Sequence, residues 1–456
     1  MTPGRLAFFL FALPVAAWSH TSEGGFVLLL PTRAYTVAGV AAVALTVLVL
    51  FAARPAAVRA IFASMIFSFT KAPEILPVIT SVLSFLLLAS LVTLGVAGPR
   101  GPLDNLLPLS FWTMGWMALV PLAAVAGDIW RWINPWTGLL HLLSPIRPRV
   151  TLPPRLGVWP ALILLVAFAA FLLADLAPDD PRRLAVVVAV YWLVTMAGCL
   201  LCGDGWTRHA ELGRVVLSTY ARLAPIQWGP DGGAGGPGWR ALAASPLPGL
   251  GLFALTLLAV GSFDGINETF WWLGLIGVNP LEFPGRSAVV LPTMLGLGAA
   301  ILALWAAFAL TVRAGLALAG GGAFVPAFSR LALALLPIAL AYHIAHYLTA
   351  ILVGLQYWIV ALNDPLHSGA DLLGLASFRV STGMFNRLDL VRVIWLTQAA
   401  VVVAGHVWSV LLSHRIALDI VGDDHARAVR LTLPLSGFMV AYTFLGLWLL
   451  AAPRGA

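Results

Sequence analysis

Apolar residues run along this chain in ten blocks of about twenty, separated by polar, glycine-rich or proline-rich breaks. The blocks lie at 34–53, 74–97, 108–126, 157–176, 184–202, 248–265, 287–312, 331–356, 391–413 and 431–451. Each is long enough to cross the hydrocarbon layer as an α-helix, the one open-ended element that satisfies its own backbone groups in lipid. The pattern therefore predicts an all-α fold, a polytopic transmembrane bundle of about ten helices. One further apolar stretch, Leu6–Ala17, follows Arg5 and runs into Ala17-Trp18-Ser19, the small-x-small pattern of a cleavage site. Residues 1–19 are expected to be a signal peptide, or else an uncleaved signal anchor. Cleavage would leave His20 at the head of a single integral membrane domain, 20–456.

Composition excludes the soluble alternatives. Of 456 residues, 61% are hydrophobic and 10% charged, and mean hydropathy is +0.95, whereas soluble domains carry roughly 25% charged residues. The net charge of +7 lies between apolar blocks rather than on a basic face with interleaved aromatics. No nucleic-acid partner is expected, and the lipid bilayer is. With His20 outside, sixteen Lys and Arg fall in inward loops and nine in outward ones. That bias predicts a bacterial inner (cytoplasmic) membrane protein with mature N- and C-termini both periplasmic. The 18 Trp suit interfacial belts.

Three loops are long. The cytoplasmic stretch 203–247 opens with a helix-compatible run, Trp206–Leu223, before a Gly/Pro-rich tract from Gly229 to Gly238 that reads as a flexible linker. The periplasmic stretch 263–286 holds Phe270, Trp271 and Trp272, which suit a short interfacial helix. The periplasmic stretch 357–390 is polar, with a turn at Asn363-Asp364-Pro365. After the third block, Asp128 and Arg131 are placed to pair and Asn134-Pro135 to turn. No internal repeat is evident.

Ionisable residues inside the apolar blocks are costly, so function is the default reading for them. His343 and His346 stand one helical turn apart on one face; His406 and His414, on the next block, are eight residues apart on roughly one face. Asp264 and Glu268 add carboxylates after the sixth block. Carboxylates with histidines suit a divalent transition metal such as zinc, copper, iron or manganese, and a bound metal lowers the pKa of its water. The expected metal ligands are Asp264, Glu268, His343, His346, His406 and His414. Depth divides them, with His346 in the outer half of its block and His406 in the inner half, so Asp264, Glu268, His343 and His346 come first. The alternative is that the histidines hydrogen-bond between helices or stack with Tyr342, Tyr347 and Trp408. His20 is a minor copper-binding candidate through its amine and ring. Cys199 and Cys202 form a lone CxxC, read as small apolar residues, with no disulfide framework.

Several of these segments resemble a known family. Gly127-Asp128-Ile129-Trp130-Arg131 with Asn134-Pro135-Trp136, then Phe263-Asp264-Gly265, Ala345-His346-Tyr347, and Gly405-His406 with Ser413-His414-Arg415-Ile416-Ala417-Leu418, occur in this order in bacterial polytopic membrane proteins labelled fenitrothion hydrolase. The resemblance runs from about residue 74 to the C-terminus, and members also tend to begin their mature chain with histidine. It implies a membrane-embedded hydrolase of phosphotriester-like substrates. The shared motifs fall on Asp264, His346, His406 and His414, and leave out His343 and the CxxC.

The functional expectation is thus a membrane-embedded, metal-dependent hydrolase of organophosphate-like esters acting on a small hydrophobic substrate. Asp264, His346 and His406 are its catalytic candidates. The alternative is a transporter or metal-handling membrane protein with intramembrane histidines. Neither nucleotide-binding nor serine-elbow motifs occur.

Overall fold

The computed structural model describes residues 27, 29–67, 75–143, 150–228, 232–242, 246–282, 285–375 and 377–454. The signal peptide, His20 and Gly229–Asp231 of the linker lie outside them. Among the described residues, ten helices are long and apolar enough to cross a membrane, one for each predicted block. They are α1 (Thr32–Ala52), α2 (Ile75–Ala97), α3 (Leu106–Ala126), α4 (Pro154–Ala174), α5 (Pro181–Cys202), α6 (Leu250–Asn267), α7 (Val290–Leu318), α8 (Leu336–Asn363), α9 (Leu388–Val421) and α10 (His425–Ala451). This is an all-α membrane protein.

Local chemistry sets several helix ends. Asp180 accepts from Arg183 N–H and Pro181 opens α5, while Gly203 closes it. Asp424 caps α10 in the same way, accepting from Arg427 N–H. The eighth span is longer than its apolar block. A short helix, Phe324–Ala332, leads through a tight turn into α8, which then runs to Asn363. The turn predicted at Asn363-Asp364-Pro365 is present, with Asp364 accepting from Ser368 and Gly369 N–H. The short helix expected at Phe270–Trp272 is present and spans Phe270–Leu275.

α6 is the enclosed centre: 78% of its apolar window is buried against 6% for the peripheral α2. Around it stand α7, α8, α10 and α4, and α9 packs on both α8 and α10. Lipid tails are as apolar as leucine, so close backbone approach and buried polar contacts must hold such helices together. Gly405 of α9 supplies the first: a Cβ there would stand 2.4 Å from Ala341 Cβ and 2.6 Å from Pro337 O of α8. Gln398 Nε2 donating to Ala345 O at 2.9 Å and Trp395 Nε1 to Leu450 O at 3.2 Å supply the second.

Two expectations need correction. The stretch 203–247 is not simply one helix and a linker. It forms helices Asp204–His209 and Leu212–Tyr220, then strands β2 (Ile226–Gln227) and β3 (Gly233–Gly235), then a helical turn at Trp239–Leu242. β3 lies between β2 and β1 (Ser64–Ile66), antiparallel to both, with Met65 opposite Ala234 and Gln227 opposite Gly233. Glycines in the tract let these backbones approach, so the described part of the linker is paired. Asp128 does not pair with Arg131. Gly127, at φ 88°, ends α3 and turns Asp128 toward Arg214, 2.6 Å away, while Arg131 donates to Trp228 O.

Candidate active site

The chemistry gathers where α6, α8 and α3 meet. Asp264 occupies the last turn of α6 and is 7% exposed. Its Oδ2 lies 3.0 Å from His346 Nε2 and accepts the Tyr347 hydroxyl at 2.7 Å. Trp116 Nε1 of α3 donates to the Tyr347 oxygen at 3.1 Å. The order Trp116, Tyr347, Asp264, His346 is one chain of hydrogen bonds. It puts the His346 proton on Nε2, facing the carboxylate, and leaves the lone pair on Nδ1.

α3 is unusual at this point. From Leu109 to Ala118 it is a π-helix, and Pro121 just beyond it has no N–H, which leaves carbonyls one turn back without their ladder donor. His343 Nε2 donates to two of them, Trp116 O at 3.1 Å and Met117 O at 3.3 Å. His343 thereby fixes the turn that carries Trp116, and its ring packs edge-on against both Trp116 and Tyr347.

His343, His346, Tyr347, Tyr342 and Trp116 line a cavity with Leu257, Val260, Gly261, Ala339 and Tyr220. The cavity volume is ≈ 20 Å³, room for about one water molecule. Tyr220 comes from the stretch expected to be a cytoplasmic loop, and Glu211 holds it there. Glu211, 1% exposed, caps helix Leu212–Tyr220. Oε1 accepts Tyr191 OH at 2.7 Å and Gly213 N–H at 2.8 Å; Oε2 accepts Trp130 Nε1 at 2.8 Å and Arg214 N–H at 2.6 Å. Burial pushes its carboxyl above the usual carboxylate range, with the four donors pulling the other way.

The remaining candidates stand apart. Glu268 faces Arg454 at 3.8 Å, where Pro453 and Arg454 fold back onto Thr269 and Phe270. His406 is level with Pro337, nine positions before His346 on α8, which places it about 13 Å away along the bundle. Its Nδ1 donates to Val402 O at 2.8 Å. His414 is two turns further along α9, beside His425. Cys199 and Cys202 are free thiols. Among the described residues, no three His, Cys, Asp or Glu side chains gather in a group able to hold a metal ion. Of the expected ligands the structure brings together Asp264 and His346, with His343 at the same cavity.

Sequence reading missed Trp116, Tyr220 and Glu211 and saw Tyr347 only as a stacking partner. The intramembrane rule finds Asp264 and His346 because they are ionisable. Trp116 gives no such signal, since tryptophan is ordinary in a span. Comparison with family models, curated proteins and solved structures found no match to this chain.

Proposed function

We propose that this chain is a membrane-embedded hydrolase in which Asp264 and His346 activate a water molecule against an uncharged, lipophilic ester. The observation that carries this reading is the 3.0 Å Asp264–His346 pair, whose imidazole lines a water-sized cavity. The carboxylate orients the imidazole and stabilises the imidazolium that forms when Nδ1 takes a proton from water. The water oxygen then bonds to the phosphorus or acyl carbon, and the leaving group departs with the electrons of its broken bond. The cavity has room for the water alone, so the ester would meet that water from outside it, and in a bundle surrounded by lipid a neutral, apolar substrate is favoured. The resemblance to proteins labelled fenitrothion hydrolase points to a phosphotriester. Water activation is assigned to the pair rather than to a metal because Asp264 Oδ2 is occupied by both Tyr347 and His346, and no third donor joins them among the described residues.

The test is release of nitrophenolate from a neutral dialkyl nitrophenyl phosphate by the purified chain in lipid vesicles. Wild type is expected to hydrolyse it, and His346→Gln to lose about 10²–10⁴-fold in kcat. A folded wild type with no activity on neutral phosphate or carboxylate nitrophenyl esters overturns the proposal. A second reading, proton-coupled transport, draws on the same observation, since an aspartate–histidine pair inside a span is also how transporters relay protons. Proton-driven uptake by vesicles without hydrolysis would favour it.

A further inference from the structure

A second histidine pair lies at the hairpin between α9 and α10, away from the site above. His414 is 1% exposed and sits on α9; His425 is the first residue of α10. Their ring centroids are 5.5 Å apart with planes at 76°. Each ring has one nitrogen engaged. His425 Nε2 lies 3.0 Å from Phe51 O, a pure acceptor, so that nitrogen carries the proton. His414 Nδ1 lies 3.4 Å from Thr432 Oγ1, whose own hydrogen is directed to Ala428 O at 2.9 Å, so Nδ1 is the donor there too. The other two nitrogens, His414 Nε2 and His425 Nδ1, are buried lone pairs with no partner.

Two buried lone pairs on neighbouring rings call for an electrophile. The flanking carboxylates are already engaged and offer no counter-ion, while Arg427 and Arg430 donate to the carbonyls of Ala319 and Ala426. Arg59 pairs with Asp423, Arg415 and Arg330 pair with Asp419, and Asp424 caps α10. A tetrahedral zinc ion needs four ligands, and no third His, Cys, Asp or Glu stands with the two rings. A soft monovalent d¹⁰ ion is satisfied by two neutral nitrogens in line, about 2 Å from each. That bridge spans about 4 Å between the nitrogens, within reach of two rings whose centroids are 5.5 Å apart. We infer that His414 and His425 form a two-nitrogen site for a monovalent copper-class cation.

The test uses the full chain in detergent with Cys199→Ala and Cys202→Ala, so that thiols do not compete, and copper(I) delivered anaerobically from a chromophoric chelator. About one equivalent should be retained, with the X-ray absorption edge of two-coordinate copper bound to nitrogen. His425→Gln and His414→Gln should each weaken retention by about 100-fold or more with the thermal midpoint kept. His406→Gln, which removes an equally buried but solitary lone pair, should retain it. Should either variant fail to fold, the edge spectrum of the parent decides alone. No uptake by the parent, a spectrum without two-coordinate nitrogen, or uptake unchanged in a folded His425→Gln overturns the inference and leaves a bridging water as the partner of the two nitrogens.

Discussion

Replacing Glu211 by leucine removes an acceptor that four donors share, without opening a large cavity. Tyr191 OH, Trp130 Nε1, Gly213 N–H and Arg214 N–H all lose their partner at once. A buried donor left unpaired costs about 1–3 kcal/mol. These donors are only partly buried, so the lower figure applies to each, and the four together come to about 4 kcal/mol. The lost helix cap is already contained in the two backbone terms. For a chain of this size a kilocalorie moves the thermal midpoint by about 1–2 °C, so a fall of about 4–8 °C is expected. In a Cys202→Ala background the chain carries its own reporter: Cys199 is 2% exposed, and a thiol-reactive fluorophore lights up as the bundle opens. Glu211→Gln keeps one oxygen and should fall about half as far. A midpoint for Glu211→Leu within about 1 °C of wild type would refute the view that this carboxylate holds helix Leu212–Tyr220, and with it Tyr220, at the cavity.

Three other outcomes follow from the same contacts. Because burial raises the Glu211 pKa in the fold, the stability it contributes is fullest below the unfolded carboxylate value of about 4.5 and declines as pH rises through the folded value; the midpoint gap between wild type and Glu211→Leu should narrow over that window. Tyr347→Phe leaves Asp264 with His346 alone and strips Trp116 Nε1 of its acceptor, so stability should fall by about 1–2 kcal/mol and any hydrolysis by about tenfold, measured by midpoint and initial rate. Gly405→Leu drives a side chain into Pro337 and Ala341 and should destabilise the α8–α9 pair by about 3 kcal/mol or more, read as loss of folded protein on size exclusion.

The ten helices were legible because apolar runs of spanning length have one stable form in lipid. Their ends were less so. Gln356, Tyr357 and Trp358 look like an interface, yet Gln356 bonds Ser381 and Trp358 bonds Ser110, so α8 continues past them to Asn363. The pairing of Asp264 with His346 was half visible: both residues were singled out, and their contact depends on how α6 and α8 are placed side by side. The π-helical stretch of α3 was not legible, but Pro121 was a signal: its missing N–H leaves Met117 O and Trp116 O open, and His343 is the donor that meets them. Glu211 was invisible for a different reason. It looks like an ordinary loop residue, and two of its donors lie 20 and 81 positions away.

The central claim is that Asp264 and His346 act as one unit, and a double-mutant cycle on kcat/KM for a neutral nitrophenyl phosphotriester tests it most directly. Asp264→Asn, His346→Gln and the double variant are compared with wild type in the same vesicles, each shown folded by its thermal midpoint. If the pair is the base, the double variant is no slower than the worse single variant, because removing either residue already disables the other. If the two losses multiply, the residues act independently, and the account of the site given by their 3.0 Å contact is contradicted.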